Sequence, residues 1–103
     1  MILATVNELP GKSFKYLGLV KGSVVHTKHI GRDIMAGFKS VIGGEIKAYT
    51  DILREARVVA TNRMVEEAKE LGANAVLGVR YECGSIMNTA VELIVYGTAV
   101  SLE

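Results

Sequence analysis

The stretch GGEIKAYTDILREARVVATNRMVEEAKELG, residues 43–72, decides the reading of this chain, because it alone sustains a helical period over many turns. Ile46, Tyr49, Ile52, Leu53, Ala56, Val59, Ala60, Met64, Ala68 and Leu71 recur at spacings of three or four, which places them on one stripe of an α-helix. The opposite face is charged. Arg63 with Glu67, and Glu66 with Lys69, are spaced to meet on the helix surface, the signature of a solvated face. Gly44 or Thr50 can open the helix, with Glu45 and Asp51 supplying negative charge to the first turn. The earlier start is preferred, because Ile46 and Tyr49 are in phase with Leu53 and Ala56. Gly72 suits the left-handed position after the last turn, and Asn74 is a turn residue. A helix from Gly44 to Leu71 would be ~42 Å long, whereas a compact domain of this size has a radius of gyration of ~13 Å. Either the helix kinks, or a second chain covers part of its apolar stripe.

Working outward, 103 residues make a single domain, residues 1–103, with no repeat, linker or low-complexity tract. Half the residues are apolar, but aromatic residues are few and Trp is absent, so the core is aliphatic. Twelve basic against eleven acidic residues leave a net charge of +1, which argues against nucleic acid or an anionic membrane surface as partner. One cysteine rules out an internal disulfide and a Cys-rich zinc site, and fits a reducing compartment. The opening MILATVNELPGK lacks a signal-peptide pattern, and no window is apolar enough to span a membrane, so a cytoplasmic location is expected.

Ile2 to Val6 is short, aliphatic and β-branched, ending at Leu9-Pro10-Gly11, and predicts an edge strand. Tyr16 to Thr27 predicts a long strand bent or bulged at Gly18 and Gly22. Ile34, Met35, Phe38, Val41 and Ile42 return to helical spacing and predict a short helix over 30–42, divided from the long one by Gly43-Gly44. Ala75–Glu82 and Thr89–Val100 predict two strands around a loop, Cys83–Asn88. Neither strand alternates cleanly, which implies burial on both faces. Two helices suffice for one face, so another copy of the chain is the simplest source of cover for the other. The expected fold is α+β: a small antiparallel sheet with one long and one short helix, in the order β-β-α-α-β-β.

Several residue groups invite a chemical reading. Gly11-Lys12-Ser13 resembles the end of a phosphate-binding loop, but Val6 stands where that motif needs glycine and strand-like residues follow, so a turn is the better reading. Cys83, His26 and His29, with Met87 nearby, are the candidate soft-metal ligands, since sulfur and imidazole suit copper or zinc. Their spacing fixes no site. Arg80 and Glu92 interrupt the last two apolar runs, and a hairpin closed around residues 83–88 would set them face to face as an ion pair. Asp51 and Asp33 fit capping roles near helix starts. No nucleophile–base constellation is evident, and no catalytic residue is assigned.

Gly43-Gly44-Glu45, Tyr49–Arg57 ending in Glu55-Ala56-Arg57, Leu71-Gly72-Ala73-Asn74-Ala75-Val76 with Gly78-Val79-Arg80, and Tyr96-Gly97-Thr98-Ala99-Val100 together resemble the YbjQ-like family of small bacterial and archaeal proteins. Leu9-Pro10-Gly11 and Gly18-x-Val20-x-Gly22 are similar too, so the resemblance covers essentially the whole chain. It implies a dodecin-like α+β subunit in a homopentamer with strand contacts between subunits. The family's heavy-metal-binding label maps onto no ligand motif in these residues. Three functions follow as expectations: an oligomeric small-ligand-binding or scaffold protein without catalytic activity and with no cofactor; a copper- or zinc-binding protein using Cys83, His26 or His29; and an enzyme using Glu92 or Asp51 at a subunit interface.

Overall fold

The structure, a computed structural model, describes residues 1–27, 47–87 and 90–103. The short helix expected over 30–42, the start of the long helix at Gly44, and His29 lie outside those residues. The elements are β1 (Ile2–Leu3), β2 (Phe14–Thr27), α1 (Lys47–Glu70), β3 (Ala75–Met87) and β4 (Ala90–Leu102). Among the described residues the order is therefore β-β-α-β-β.

The four strands form one sheet in the order β1-β3-β4-β2. β4 pairs antiparallel with β2, from Phe14 opposite Leu102 to Thr27 opposite Ala90, and antiparallel with β3 on its other side. β1 runs parallel to β3, with Ile2 opposite Ala75 and Leu3 opposite Val76, so the sheet is mixed rather than antiparallel as expected. The edge strand also stops earlier than Val6. Gly78, at φ 63°, lets β3 shift register between Leu77 and Arg80, and past that bulge the first segment keeps only single bonds, Gly78 N–H to Val6 O (2.9 Å) and Val79 N–H to Ala4 O (3.0 Å).

β2 bulges between Tyr16 and Gly18, as the first of its two glycines suggests. The second has another purpose. A Cβ built on Gly22 would overlap the carbonyl oxygen of Ala60 and the amide nitrogen of Met64, so Gly22 is where α1 lies against the sheet. The helix makes that approach with small residues: Ala56, Ala60, Met64 and Ala68, four apart, are fully buried, while Leu53 and Leu71 stay partly exposed. The buried row is narrower than the stripe read from the sequence. At its C-terminal end the helix closes with paired bonds, Gly72 N–H to Lys69 O (2.9 Å) and Ala73 N–H to Ala68 O (3.1 Å), around Gly72 at φ 81°.

The helix-side core joins that row to Val20, Val76, Val79, Leu93, Val95 and Ala99. On the other face a smaller cluster, Ala75, Leu77 and Val100, is covered by Ala4, Leu9 and Leu102. Burial on both faces is thus confined to one end of the sheet. Beyond it Tyr16 and Leu19 stand 66% and 64% exposed, with Val25 also open, on the face turned away from α1. The result is long and thin, 54 × 25 × 16 Å with a radius of gyration of 17.0 Å, against ~13 Å for a compact domain of this length.

Candidate functional site

Strand pairing places the sequence-predicted site residues. β3 does not end at Glu82. It continues through Cys83 to Met87, which pairs with Ala90, so strand occupies most of the expected loop. That changes the register on which the Arg80–Glu92 pair depends: Arg80 lies opposite Tyr96, and Glu92 lies opposite Gly84 on one side and Val25 on the other. Arg80 instead donates from Nη1 to the carbonyls of Thr5 and Val79, both at 2.9 Å, tying the N-terminal segment to the sheet. Within one chain Arg80 and Glu92 therefore do not stand face to face, and Arg80 serves as a backbone clamp.

Arg80 still shapes a polar cluster on the open face. Tyr96 donates its phenolic proton to Glu82 Oε1 at 3.1 Å. That hydrogen bond, with partial desolvation and the negative charge of Glu82, holds the phenol above its ordinary range, and the Arg80 guanidinium offsets part of the rise. On the helix side, Tyr81 and Thr61 join their hydroxyls at 2.8 Å, and Thr61 also donates to the Arg57 carbonyl at 2.6 Å. The sequence offered only a weak signal for these contacts, a tyrosine placed among aliphatic strand residues.

Of the metal candidates, Cys83 is an exposed free thiol on β3, and His26 is half-buried on β2, with Nε2 shielded from solvent and without a hydrogen-bond partner among the described residues. Both lie on the helix side of the sheet, but β4 runs between them. His26 pairs with Val91 and Cys83 with Leu93, so the two are separated by two strand spacings, ~10 Å, and by two residues along the strand. One zinc or copper ion needs its donors within ~2.3 Å of itself. A single chain therefore does not bring this thiol and this imidazole onto one ion. Among the described residues no three His, Cys, Asp or Glu side chains gather closely enough to hold a metal. Asp51 is exposed and reaches Arg54 at 4.0 Å, a surface contact.

Depressions lined by the described residues mark the surface. One of about 240 Å³ lies on the open face, lined by Asn7, Phe14, Leu77 and Thr98 among others. One of about 430 Å³ follows the acidic side of α1, by Glu66, Glu67 and Glu70. A third, about 460 Å³, lies between α1 and β3 and includes Arg54, Arg57, Thr61 and Tyr81. Gly11-Lys12-Ser13 forms a turn, with Lys12 N–H donating to Leu9 O at 3.1 Å, and no helix follows it to cradle a phosphate. No helix among the described residues is long and apolar enough to cross a membrane.

A small α+β architecture of this kind, a mixed four-stranded sheet with one long helix on one face, is shared with a crystallised protein with unknown function of the DUF74 family from Pediococcus pentosaceus. The match has a TM-score of 0.68 at 13% identity, over 100% of this chain and 98% of that one. The chain belongs to the YbjQ family, whose sequence profile matches residues 1–103 and whose description reads "Putative heavy-metal-binding". Its relatives include a UPF0145 protein of Helicobacter hepaticus, 55% identical over 99% of this chain and 98% of that protein. Others are a UPF0145 protein of Clostridium novyi, 51% identical over 99% of both, and one of Thermus thermophilus, 52% identical over 100% of this chain and 91% of that protein. None of these descriptions names a reaction.

Proposed function

We propose that the chain is the subunit of a homo-oligomeric small-ligand-binding or scaffold protein, dodecin-like in arrangement and most simply a pentamer, acting without catalysis of its own. One observation carries this reading: the sheet is covered on its second face at one end only, leaving Tyr16, Leu19 and Val25 in water. Large apolar side chains left in water on one face of so thin a body, with Lys21 and Ser23 interspersed among them, fit an interface of mixed character. The outer edge of β2, fourteen residues long, is also unpaired among the described residues and supplies backbone groups for a neighbour. Sedimentation equilibrium at micromolar concentration tests the reading. A single multimeric species supports it, and a folded monomer removes it.

A second reading, binding of copper or zinc, is favoured by the Nε2 of His26, unpartnered among the described residues, and by the exposed thiol of Cys83. Soft donors of this kind suit those ions. Because β4 separates the two within a chain, the ligands would be completed by His29 or by a neighbouring copy. Calorimetric titration with zinc or copper tests this: stoichiometric binding lost in both Cys83→Ser and His26→Ala supports a metal function, and unchanged heats in the two variants exclude these ligands.

A further inference from the structure

We infer that the groove between α1 and β3 is a binding site for a small hydroxylated anion, a carboxylate or a phosphate ester. The inference deepens the ligand-binding part of the proposed function, and because the groove lies within one chain it does not depend on assembly. Its walls are Arg54, Arg57, Val58, Thr61, Asn62 and Tyr81, around a space of about 460 Å³, within the range of small-molecule clefts. Among the described residues, α1 packs over β2 and β4 and leaves the helix side of β3 uncovered beyond Val79, so Tyr81 stays half-exposed near the exposed side chain of Val58.

The charged residues in the groove wall are both basic. Arg54 and Arg57 are one helical turn apart; among the described residues Arg54 has one ion pair, with Asp51 at the 4.0 Å limit, and Arg57 has none. Asp51 and Glu55 share this stretch of helix but do not line the groove, and Glu66, Glu67 and Glu70 lie further along, around a separate depression. Guanidinium forks bind carboxylate and phosphate oxygens in pairs.

Proton accounting then sets the second requirement. The Thr61 hydroxyl has one hydrogen, and it is taken by the Arg57 carbonyl at 2.6 Å. In the 2.8 Å contact Tyr81 must therefore be the donor and Thr61 the acceptor. Tyr81 has then spent its own hydrogen and turns only lone pairs toward the groove. A fitting ligand presents anionic oxygens to the arginines and a hydroxyl donor to Tyr81.

The test is calorimetric titration of the intact protein with two matched pairs, citrate against tricarballylate, which lacks the hydroxyl, and glycerol 3-phosphate against methyl phosphate, with sodium chloride at equal ionic strength as control. The expected result is saturable binding of the hydroxylated member of one pair, which also tells carboxylate from phosphate. That binding weakens at least about tenfold in Arg54→Gln/Arg57→Gln, and the preference for the hydroxyl disappears in Tyr81→Phe. Arg54→Lys/Arg57→Lys, which keeps the charge, should fall between, and thermal melting confirms that each variant folds. Absence of saturable binding up to about 10 mM, binding indifferent to the arginine substitutions, or equal affinity within both pairs would overturn the inference. Since the groove lies within one chain, a multimer that fails to bind sinks only this site, and a monomer that binds sinks only the assembly.

Discussion

Gly22 is the residue on which the packing of helix and sheet turns. It shows no special backbone dihedral, yet a methyl group there would occupy the space of the Ala60 carbonyl and the Met64 amide. Backbone atoms inside a helix cannot rotate aside, so Gly22→Ala must separate α1 from β2. We expect a loss above the ~1–3 kcal/mol typical of overpacking, read as a collapse of the thermal midpoint; a midpoint within a few degrees of the parent's would show that the two elements are not in close contact. Tyr96 makes a different kind of prediction. Its phenol is held above the ordinary range near ~10, chiefly by the bond to Glu82. A group raised in the folded state adds stability that is complete below the unfolded-state value and disappears as pH rises through the folded one. Ultraviolet difference titration of the parent against Glu82→Gln should show the Tyr96 phenolate forming at lower pH in the variant. Superimposable titration curves would argue against the bond. Residue roles of this sort were legible where backbone geometry alone sets them, as at Gly72 and Gly18. Gly22 read as a bend because its true reason, the crossing helix, is a contact between segments far apart in sequence.

Among the elements, α1 was the most legible. Its periodicity, its charged face and its terminating glycine are all local, and Lys69 meets Glu66 at 3.6 Å as the spacing suggested. Arg63 departed from its expected partner, Glu67, and donates to the Ser23 carbonyl at 2.6 Å, because β2 lies within reach of its guanidinium. The buried row has a single large side chain, Met64, among alanines. Met64→Ala should therefore cost ~2–5 kcal/mol, measured by denaturant unfolding, whereas Val58→Ala, on the exposed side of the helix, should stay within ~0.5 kcal/mol. Equal effects would mean that the helix docks through a different row. The hairpin was less legible. Cys83-Gly84-Ser85 has the composition of a turn, so the strands were expected to separate there, and the Arg80–Glu92 pairing followed from that register. The strand continues because pairing to β4 satisfies backbone groups that a loop would leave to water. Side-chain composition at a sheet margin carries little information against that.

At the scale of the molecule, the imbalance between apolar surface and cover was legible in the residues, but its location was not. The residue pattern points to the long helix and to both faces of the last two strands. The imbalance lies instead on the open face beside β2, where Leu19 and Tyr16 are most exposed. Leu19→Lys therefore separates folding from association: it should leave denaturant stability of the isolated chain within ~0.5 kcal/mol while shifting the sedimenting species to lower mass, and an unchanged mass would show that this face is not the contact. The strand order has a consequence for how the protein is made. β2 is joined to the sheet only by β4, and the ribosome synthesises the helix and β3 between the two. During translation β2 therefore emerges with no strand to pair with, and closing so long a loop is entropically slow. The β3–β4 hairpin, whose strands are adjacent in sequence, is the natural nucleus, with β2 captured afterwards, so the nascent chain passes through an interval in which Leu17, Val20 and Val24, which the folded chain packs into the helix-side core, are open to chaperones.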